Sequence, residues 1–249
     1  MSVDERPAYY ARRGGRLADC WTLLHPPYTV WHLSYVVLGA GLASHVSSTP
    51  LVLSVLAFFL AVGVAAHALD ERAGHPLGTA LDDRTLAVAA TVALLGAAAL
   101  GVYGAFWWDG VDWAVATAIP VGVALVVGYN LELLGGRLHN DLVFGLAWGG
   151  FPVAVGYLAQ SPDLTRPNAV AAVAAVGAAI ALTYAQRRLS TPARDLRRRT
   201  REVEGVAHHL DGTAVLLDRQ ALLAPLEGGL RALSWAVPLV ALAALLTHA

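Results

Sequence analysis

Three acid–base side chains lie close together in the stretch HALDERAGHPLGT, residues 67–79. His67, Asp70 and Glu71 have the spacing that places side chains on one face of a helix. Carboxylates are ligands for magnesium, which proteins usually hold through one or two carboxylates together with phosphate oxygens of a substrate. The stretch therefore predicts a small metal site, with Asp70 as its main ligand and Glu71 or His67 completing it.

The same residues have a second explanation that needs no ligand. They follow nineteen residues without a charge, so they could simply mark the end of a helix at the lipid head groups. Acids at a helix C-terminus are disfavoured by the helix dipole, and either a cation or the nearby Arg72 and Arg84 would offset that effect. Both explanations stay open at this point.

A second polar cluster is YNLELLGGRLHND, residues 129–141. Gly135 and Gly136 are suited to ending a helix, and Asn140 or Asp141 to capping the next one. The end of a membrane span needs none of the other polar residues of this cluster. A helix-end role therefore explains Tyr129, Asn130 and Glu132 less well than it explains Asn140 and Asp141.

A third cluster contains seven arginines between residues 187 and 201. Most of them, including those from Arg197 to Arg201, are predicted to anchor the chain against anionic lipid. Arg187 and Arg188 differ because they directly follow an apolar stretch. A planar guanidinium at that position can bind a diphosphate.

Apolar segments must position these clusters, because 57% of the 249 residues are hydrophobic and only 14% are charged. A helix needs about 20 apolar residues to cross the hydrocarbon layer. The predicted fold is thus an all-α, polytopic transmembrane bundle with a single domain. Seven spans are predicted: Tyr28–Val46, Pro50–Leu69, Thr85–Trp107, Trp113–Leu131, Asp141–Gln160, Ala169–Gln186 and Leu230–His248.

The arginines predict the orientation of these spans. The chain has no lysine, and with seven spans sixteen of its seventeen arginines fall on one side, Arg166 being the exception. By the positive-inside rule, the N-terminus is cytoplasmic and the C-terminus lies outside a cell membrane. Residues 1–27 then form a cytoplasmic segment and residues 187–229 a basic cytoplasmic connection, of which residues 208–226 are predicted to be an amphipathic helix at the interface.

The clusters in this order resemble the UbiA superfamily of intramembrane prenyltransferases. LLHPPYTVWHLSYVVLGAGLA is similar to the opening helix of that family, and AHALDERAGHPLGTALDDRTL is placed like its first aspartate-rich motif. GYNLELLGGRLHNDLVFGLAWGGFPVAVGYLA resembles the end of its fourth helix and its fifth helix. The resemblance covers about residues 23–201.

The resemblance implies a role for each cluster. Asp70 and Glu71 would hold Mg²⁺, with His67 beside them, and arginines would contact the diphosphate of a prenyl diphosphate. Catalysis would involve Asp70, Glu71, Tyr129, Asn130 and Glu132. The implied diphosphate ligands are Arg72, Arg137, Arg187 and Arg188.

The chain also departs from the family pattern. With Asp70 aligned to the middle acid of the first motif, His67 and Gly74 stand where the family has its other two acids. AQRRLSTPARD stands where a second aspartate-rich motif would follow helix six, and seven spans are predicted where the family has nine.

Two functions therefore remain open. The first is transfer of an isoprenyl group to an unidentified acceptor at the cytoplasmic face, and the second is non-catalytic binding of an isoprenoid or quinone-like lipid. A transporter is disfavoured because the predicted spans lack an interior charged residue, and a retinal protein would need a lysine. The expected partners are membrane lipid and a prenyl diphosphate or other isoprenoid, and we expect no nucleic acid.

Overall fold

The computed structural model describes residues 7–108, 112–160 and 166–248. These residues form a bundle of helices with one short β-hairpin. The helices are α1 (Arg16–Leu23), α2 (Pro26–Gly41), α3 (Ser48–Arg72), α4 (Asp83–Phe106), α5 (Trp113–Asn130), α6 (Asp141–Leu158), α7 (Arg166–Arg198) and α8 (Arg219–Leu246). The antiparallel strands are β1 (Gly205–His208) and β2 (Ala214–Leu217).

Side-chain caps determine where several helices begin. The amide oxygen of Asn140 accepts hydrogen bonds from the backbone N–H groups of Leu142 and Val143, as predicted for the start of α6. Carboxylates cap three other helices in the same way, which satisfies N–H groups that have no partner within the helix. These caps are Asp82 for α4, Asp112 for α5 and Asp218 for α8.

Within the described ranges, six helices are long and apolar enough to cross a membrane. They are α3 to α8, and they match six of the seven predicted spans. The prediction of a multi-pass helical protein agrees with this finding. The predicted first span corresponds to α2, which has sixteen residues and ends at Gly41 rather than Val46.

Helix α2 lies at the centre of the bundle, where it packs closely on α6 and α8. A Cβ atom added to Gly39 would lie 2.1 Å from the carbonyl oxygen of Val153, so the two backbones are in direct contact. Gly41 contacts α8 at Ala244, and the buried Trp31 packs near Val237. Because residue numbers rise together along both helices, α2 and α8 run parallel to each other.

The predicted connection between the last two spans is more ordered than expected. Helix α7 continues to Arg198, well beyond the predicted end at Gln186, and α8 begins at Arg219 instead of Leu230. The prediction of an amphipathic helix over residues 208–226 is wrong for its first half. That half belongs to the β-hairpin, which turns at Gly212 with φ 83°, a conformation that favours glycine.

The arginines at the end of α7 also differ from the prediction. Arg197, predicted to anchor the membrane surface, pairs with Glu227 of α8, and both side chains are less than 10% exposed. The Nε of Arg198 donates a hydrogen bond to the carbonyl oxygen of Pro7. These two arginines hold α8 and the N-terminal segment against α7.

Two transmembrane helices contain π-helical turns. Phe59–Ala66 forms one inside α3, and Leu146–Gly150 forms one inside α6. Such turns often occur at functional sites because they displace backbone and side chains from the regular helical path. Both face the cavity described next.

Candidate functional site

An apolar cavity of about 270 Å³ lies between α3, α4, α5 and α6. Its lining is mostly alanine, glycine, valine, leucine and phenylalanine, and both π-helical turns contribute to it. One end lies near Ser47, Asp112 and Gln160, at the ends of the helices that the predicted topology places outside. The other end lies near Val126 and Trp148, toward the predicted cytoplasmic side.

Four rings follow the inner end of the cavity, near Val126, and we call them the aromatic shell: Tyr129, His139, Phe144 and Trp148. The indole of Trp148 lines the cavity and lies 5.2 Å from the ring of Tyr129 and 5.9 Å from that of Phe144. The Tyr129 ring stacks on that of His139 at 4.5 Å. The aromatic shell is therefore continuous with the inner end of the cavity.

Arg187 covers the aromatic shell from α7. Its guanidinium carbon lies 5.1 Å from the ring centre of Phe144, and its Nε donates to a carboxylate oxygen of Asp141 at 3.0 Å. A second guanidinium nitrogen lies 3.5 Å from Nε2 of His139. Asp141 therefore holds Arg187 in place against the aromatic shell, and the role of Arg187 in binding a diphosphate stays a prediction.

The other predicted diphosphate ligands lie elsewhere. Arg72, Arg137 and Arg188 are exposed side chains. Arg187 therefore is the one member of the predicted set that packs on the aromatic shell.

A cluster of Tyr10, His25 and His67 lies where the N-terminal segment meets the start of α2 and the last turns of α3. The Tyr10 hydroxyl and Nδ1 of His25 share a hydrogen bond, and the His25 ring stacks on that of His67 at 4.3 Å. Burial is the main cause that raises the pKa of Tyr10 well above 10 and lowers the pKa of His25 well below 6.5. The other ring nitrogen of His25, Nε2, is buried without a hydrogen-bond partner in the described structure.

His25 also has an unusual backbone. Its φ of 46° and ψ of 57° lie in the left-handed region, and Pro26 starts the next helix directly after it. Non-glycine residues rarely adopt this conformation, which costs of order 1 kcal/mol or more and recurs at functional sites. The turn is what directs the imidazole toward His67.

Glu71 holds the loop between α3 and α4. It is fully buried, and its carboxylate accepts hydrogen bonds from the backbone N–H of Leu77 and from both the N–H and the hydroxyl of Thr79, at 2.8–2.9 Å. His75 adds an imidazole nitrogen at 3.6 Å. These hydrogen bonds to both carboxylate oxygens account for the burial of Glu71 without a metal.

The remaining predicted site residues are spread around the mouth. Asp70 is exposed, whereas His67 is half-buried and its Nδ1 is 3.1 Å from the carbonyl oxygen of Gly63. Asn130 donates to a carbonyl of its own helix, and Glu132 is exposed, 3.8 Å from His139. Among the described residues, no group of three or more His, Cys, Asp or Glu side chains is arranged to hold a metal ion.

Sequence reasoning did not single out Tyr10, His25, His139 or Phe144. His25 precedes two prolines, and that pattern is a usable signal for a fixed turn. Tyr10 has no such signal, because its partner is fifteen residues away and the contact exists only in the folded chain.

Comparison with protein-family models, with curated proteins and with solved structures found no match to this chain.

Proposed function

We propose that this chain is an integral membrane protein that binds an isoprenoid lipid with an anionic head group such as a diphosphate. The apolar chain of the lipid would lie in the cavity, and its head would lie at Arg187. The observation that carries this proposal is the continuity from cavity to Trp148, from Trp148 to the aromatic shell, and from the shell to a fixed arginine.

The cavity suits the chain of such a lipid. Ligand cavities are typically lined by apolar side chains with a few polar groups that fix orientation. The aromatic rings at the inner end offer π faces to the double bonds of an isoprenoid. Arg187 offers planar N–H donors that match phosphate oxygens.

Binding without catalysis is the form of this function that we favour. Glu71, one of the two implied carboxylate ligands, is occupied by the backbone of the loop. The implied second aspartate-rich motif is replaced by arginine and glutamine. A magnesium ion would thus have Asp70 as its main protein ligand and would depend on phosphate oxygens for the rest of its shell.

Lipid mass spectrometry on protein purified in mild detergent tests the binding proposal. We expect an intact isoprenoid to co-purify. We also expect a prenyl diphosphate to bind more tightly than the corresponding prenol, because only the former has the charge that Arg187 would bind. Absence of a bound isoprenoid together with failure of both compounds to bind would reject the proposal.

Prenyl transfer, as in the UbiA superfamily, is a second candidate. It is favoured by the exposed carboxylate of Asp70, one turn of α3 beyond His67 and at the same end of the bundle as the aromatic shell. In this mechanism Asp70 and Mg²⁺ would stabilise the charge that develops on the leaving diphosphate. An allylic carbon would lose its bond to the diphosphate oxygen and form one to an acceptor, which would release a proton.

Calorimetry separates the two candidates. If Asp70 holds magnesium with the diphosphate, each ligand should tighten the other by the same factor, and a coupling of about 1–3 kcal/mol is ordinary. Asp70→Asn should remove the coupling, while Asp195→Asn, a matched change at another exposed acid, should keep it. Magnesium-independent binding by the unmodified protein would favour the non-catalytic role.

A further inference from the structure

The cavity is long and narrow. On α5 its lining runs from Asp112 to Val126, and on α4 it runs from Leu94 to Trp108. At 1.5 Å per residue, each of these stretches is about 21 Å long. A compact chamber of 270 Å³ would be only about 6.5 Å on a side, so the cavity is elongated along these two helices.

This length exceeds one leaflet of the bilayer. The hydrocarbon layer is about 30 Å thick, so each leaflet is about 15 Å. A chain that fills the cavity therefore extends past the midplane, which an ordinary acyl chain of one leaflet does not do. The geometry favours a ligand with a longer single chain.

The outer end of the cavity is polar. The side-chain oxygen of Gln160 accepts a hydrogen bond from the backbone N–H of Ser47 at 2.7 Å, and the Asp112 carboxylate caps α5. Exposed Trp107 and Trp113 lie at this level, as expected near a membrane surface. A hydrocarbon chain that extends into this polar layer buries no further apolar surface, so the apolar part of the cavity has a defined length.

We infer that the cavity selects isoprenoid chains by length, with an optimum near five isoprene units. An extended chain advances about 1.2 Å per bond, as a polypeptide does, so the four chain bonds of an isoprene unit span about 5 Å. Four units fill the cavity. A fifth unit is needed to reach Arg187, because Tyr129 lies three residues, or about 4.5 Å, beyond Val126. The rings of Tyr129 and Trp148 are buried, so they must move apart to admit that unit.

This inference rests on the proposed function, because it assumes that the head group lies at Arg187. It also predicts which side chains along the cavity contact which part of the ligand. Ala98 lies about 6 Å from the inner end, four residues from Leu94, and Val115 lies about 16 Å from it, eleven residues from Val126. A three-unit chain passes Ala98 but stops short of Val115, whereas a five-unit chain reaches both.

Larger side chains at these two levels test the inference. Binding of prenyl diphosphates with three and five isoprene units would be measured on the parent and the variants in lipid nanodiscs. The affinity of each ligand for a variant is compared with the affinity of the same ligand for the parent, so the partition of that ligand into lipid cancels. Val173→Phe, on an exposed face of α7, is the matched control.

We expect Val115→Trp to weaken binding of the five-unit compound about tenfold and that of the three-unit compound less than twofold. Ala98→Phe should weaken both about tenfold, and Val173→Phe neither. If Val115→Trp does not fold, Ala118→Leu provides a smaller step at a level between the two. Adding units beyond five should give no tighter binding to the parent.

The failures are distinguishable. If neither compound binds the parent, the proposed function is wrong. If both bind but Val115→Trp affects them equally, or affects neither, the cavity does not select chain length and the proposed function stands without this inference.

Discussion

The imidazole of His25 lies stacked on that of His67, with ring centroids 4.3 Å apart and planes inclined by 24°. One ring comes from the turn before α2 and the other from the end of α3. The stack therefore joins the N-terminal segment to a transmembrane helix, and protonation of either ring would place a charge against the other.

Acid should destabilise the protein through His25. Burial, followed by the charges of His67, Arg198 and Arg194, lowers its pKa well below 6.5. The neighbouring Tyr10 and Tyr28 are uncharged at neutral pH. Below about pH 6.5 the unfolded chain binds a proton that the folded chain does not, so stability is lost as the pH falls, by at most about 1.4 kcal/mol per pH unit.

Thermal unfolding in detergent at pH 7.5, 6.5 and 5.5 measures this loss. We expect His25→Phe, which keeps a ring for the stack, to show a shallower dependence on pH than the parent. His45→Phe, at an exposed histidine, should retain the slope of the parent. Equal slopes in all three proteins would contradict the assignment.

Glu71 should matter for stability rather than for metal binding. Glu71→Gln replaces an acceptor oxygen with an N–H₂ group that faces the N–H of Leu77 or Thr79, so we expect a loss of about 1–3 kcal/mol. Asp70→Asn, on the exposed neighbour, should change stability by less than about 0.5 kcal/mol. Chemical unfolding and protease cleavage within residues 73–82 would measure both effects.

The control for this prediction is to measure the same loss of stability with and without magnesium and a prenyl diphosphate. If the loss in Glu71→Gln grows when magnesium and a prenyl diphosphate are present, then Glu71 takes part in a metal site after all. An unchanged difference supports the loop role.

These two adjacent acids show what the sequence could and could not predict. The spacing of Asp70 and Glu71 correctly indicated a polar helix end, but which carboxylate points inward depends on the N–H groups of a loop six to eight residues away. The same limit applies to Arg197 and Arg198, whose partners are Glu227 of α8 and the carbonyl oxygen of Pro7. Patterns local in sequence, such as the Asn140 cap, were predicted.

The β-hairpin was missed for a different reason. Its leucines suggested a helix, but Asp211 and Gly212 form a turn, in which the Asp211 carboxylate accepts hydrogen bonds from the N–H and hydroxyl of Thr213. Asp-Gly between apolar residues is a strong hairpin signal. The local turn therefore makes this segment a hairpin, although the spacing of its leucines is partly helical.

The ion pair between Arg197 and Glu227 should be worth more than an exposed pair. Removal of one partner leaves a buried charge, so Glu227→Gln is expected to cost about 3–5 kcal/mol. Arg199, the residue directly after α7, pairs with Asp195 of that helix, but its side chain is 82% exposed. Arg199→Gln should cost less than about 1 kcal/mol.

Equilibrium unfolding of both variants tests the difference. A double variant, Arg197→Leu with Glu227→Leu, should recover much of the loss, because two apolar side chains leave no unpaired charge. Equal effects of Glu227→Gln and Arg199→Gln would show that burial does not strengthen the pair.

Arg187 should bind the head group in preference to its neighbour. Arg187→Gln is expected to weaken binding of a prenyl diphosphate about tenfold, since a hydrogen bond to a charged group is worth about 1.5–3 kcal/mol. Arg188→Gln removes the same charge at an exposed position and should have little effect. Binding of the corresponding prenol should be unchanged in both variants. If both variants lose the same affinity for the prenyl diphosphate, the two arginines serve only to anchor the chain to lipid.

The last prediction concerns topology, and α2 decides it. Helices α2 and α8 run parallel, and Nε2 of His248 lies 3.1 Å from the carbonyl oxygen of Gly41 at their shared end. If α2 crosses the same layer as α8, the chain has seven spans, and sixteen of its arginines lie in the cytoplasm. If α2 does not cross, six spans bring both termini to the same side. A reporter that works only in the cytoplasm should therefore be active both when fused before Met1 and when inserted at Gly212 in the hairpin, because six spans, α2 to α7, separate these two sites if α2 crosses. Activity at one of the two sites together with inactivity at the other would show that α2 is a buried helix that does not span the membrane.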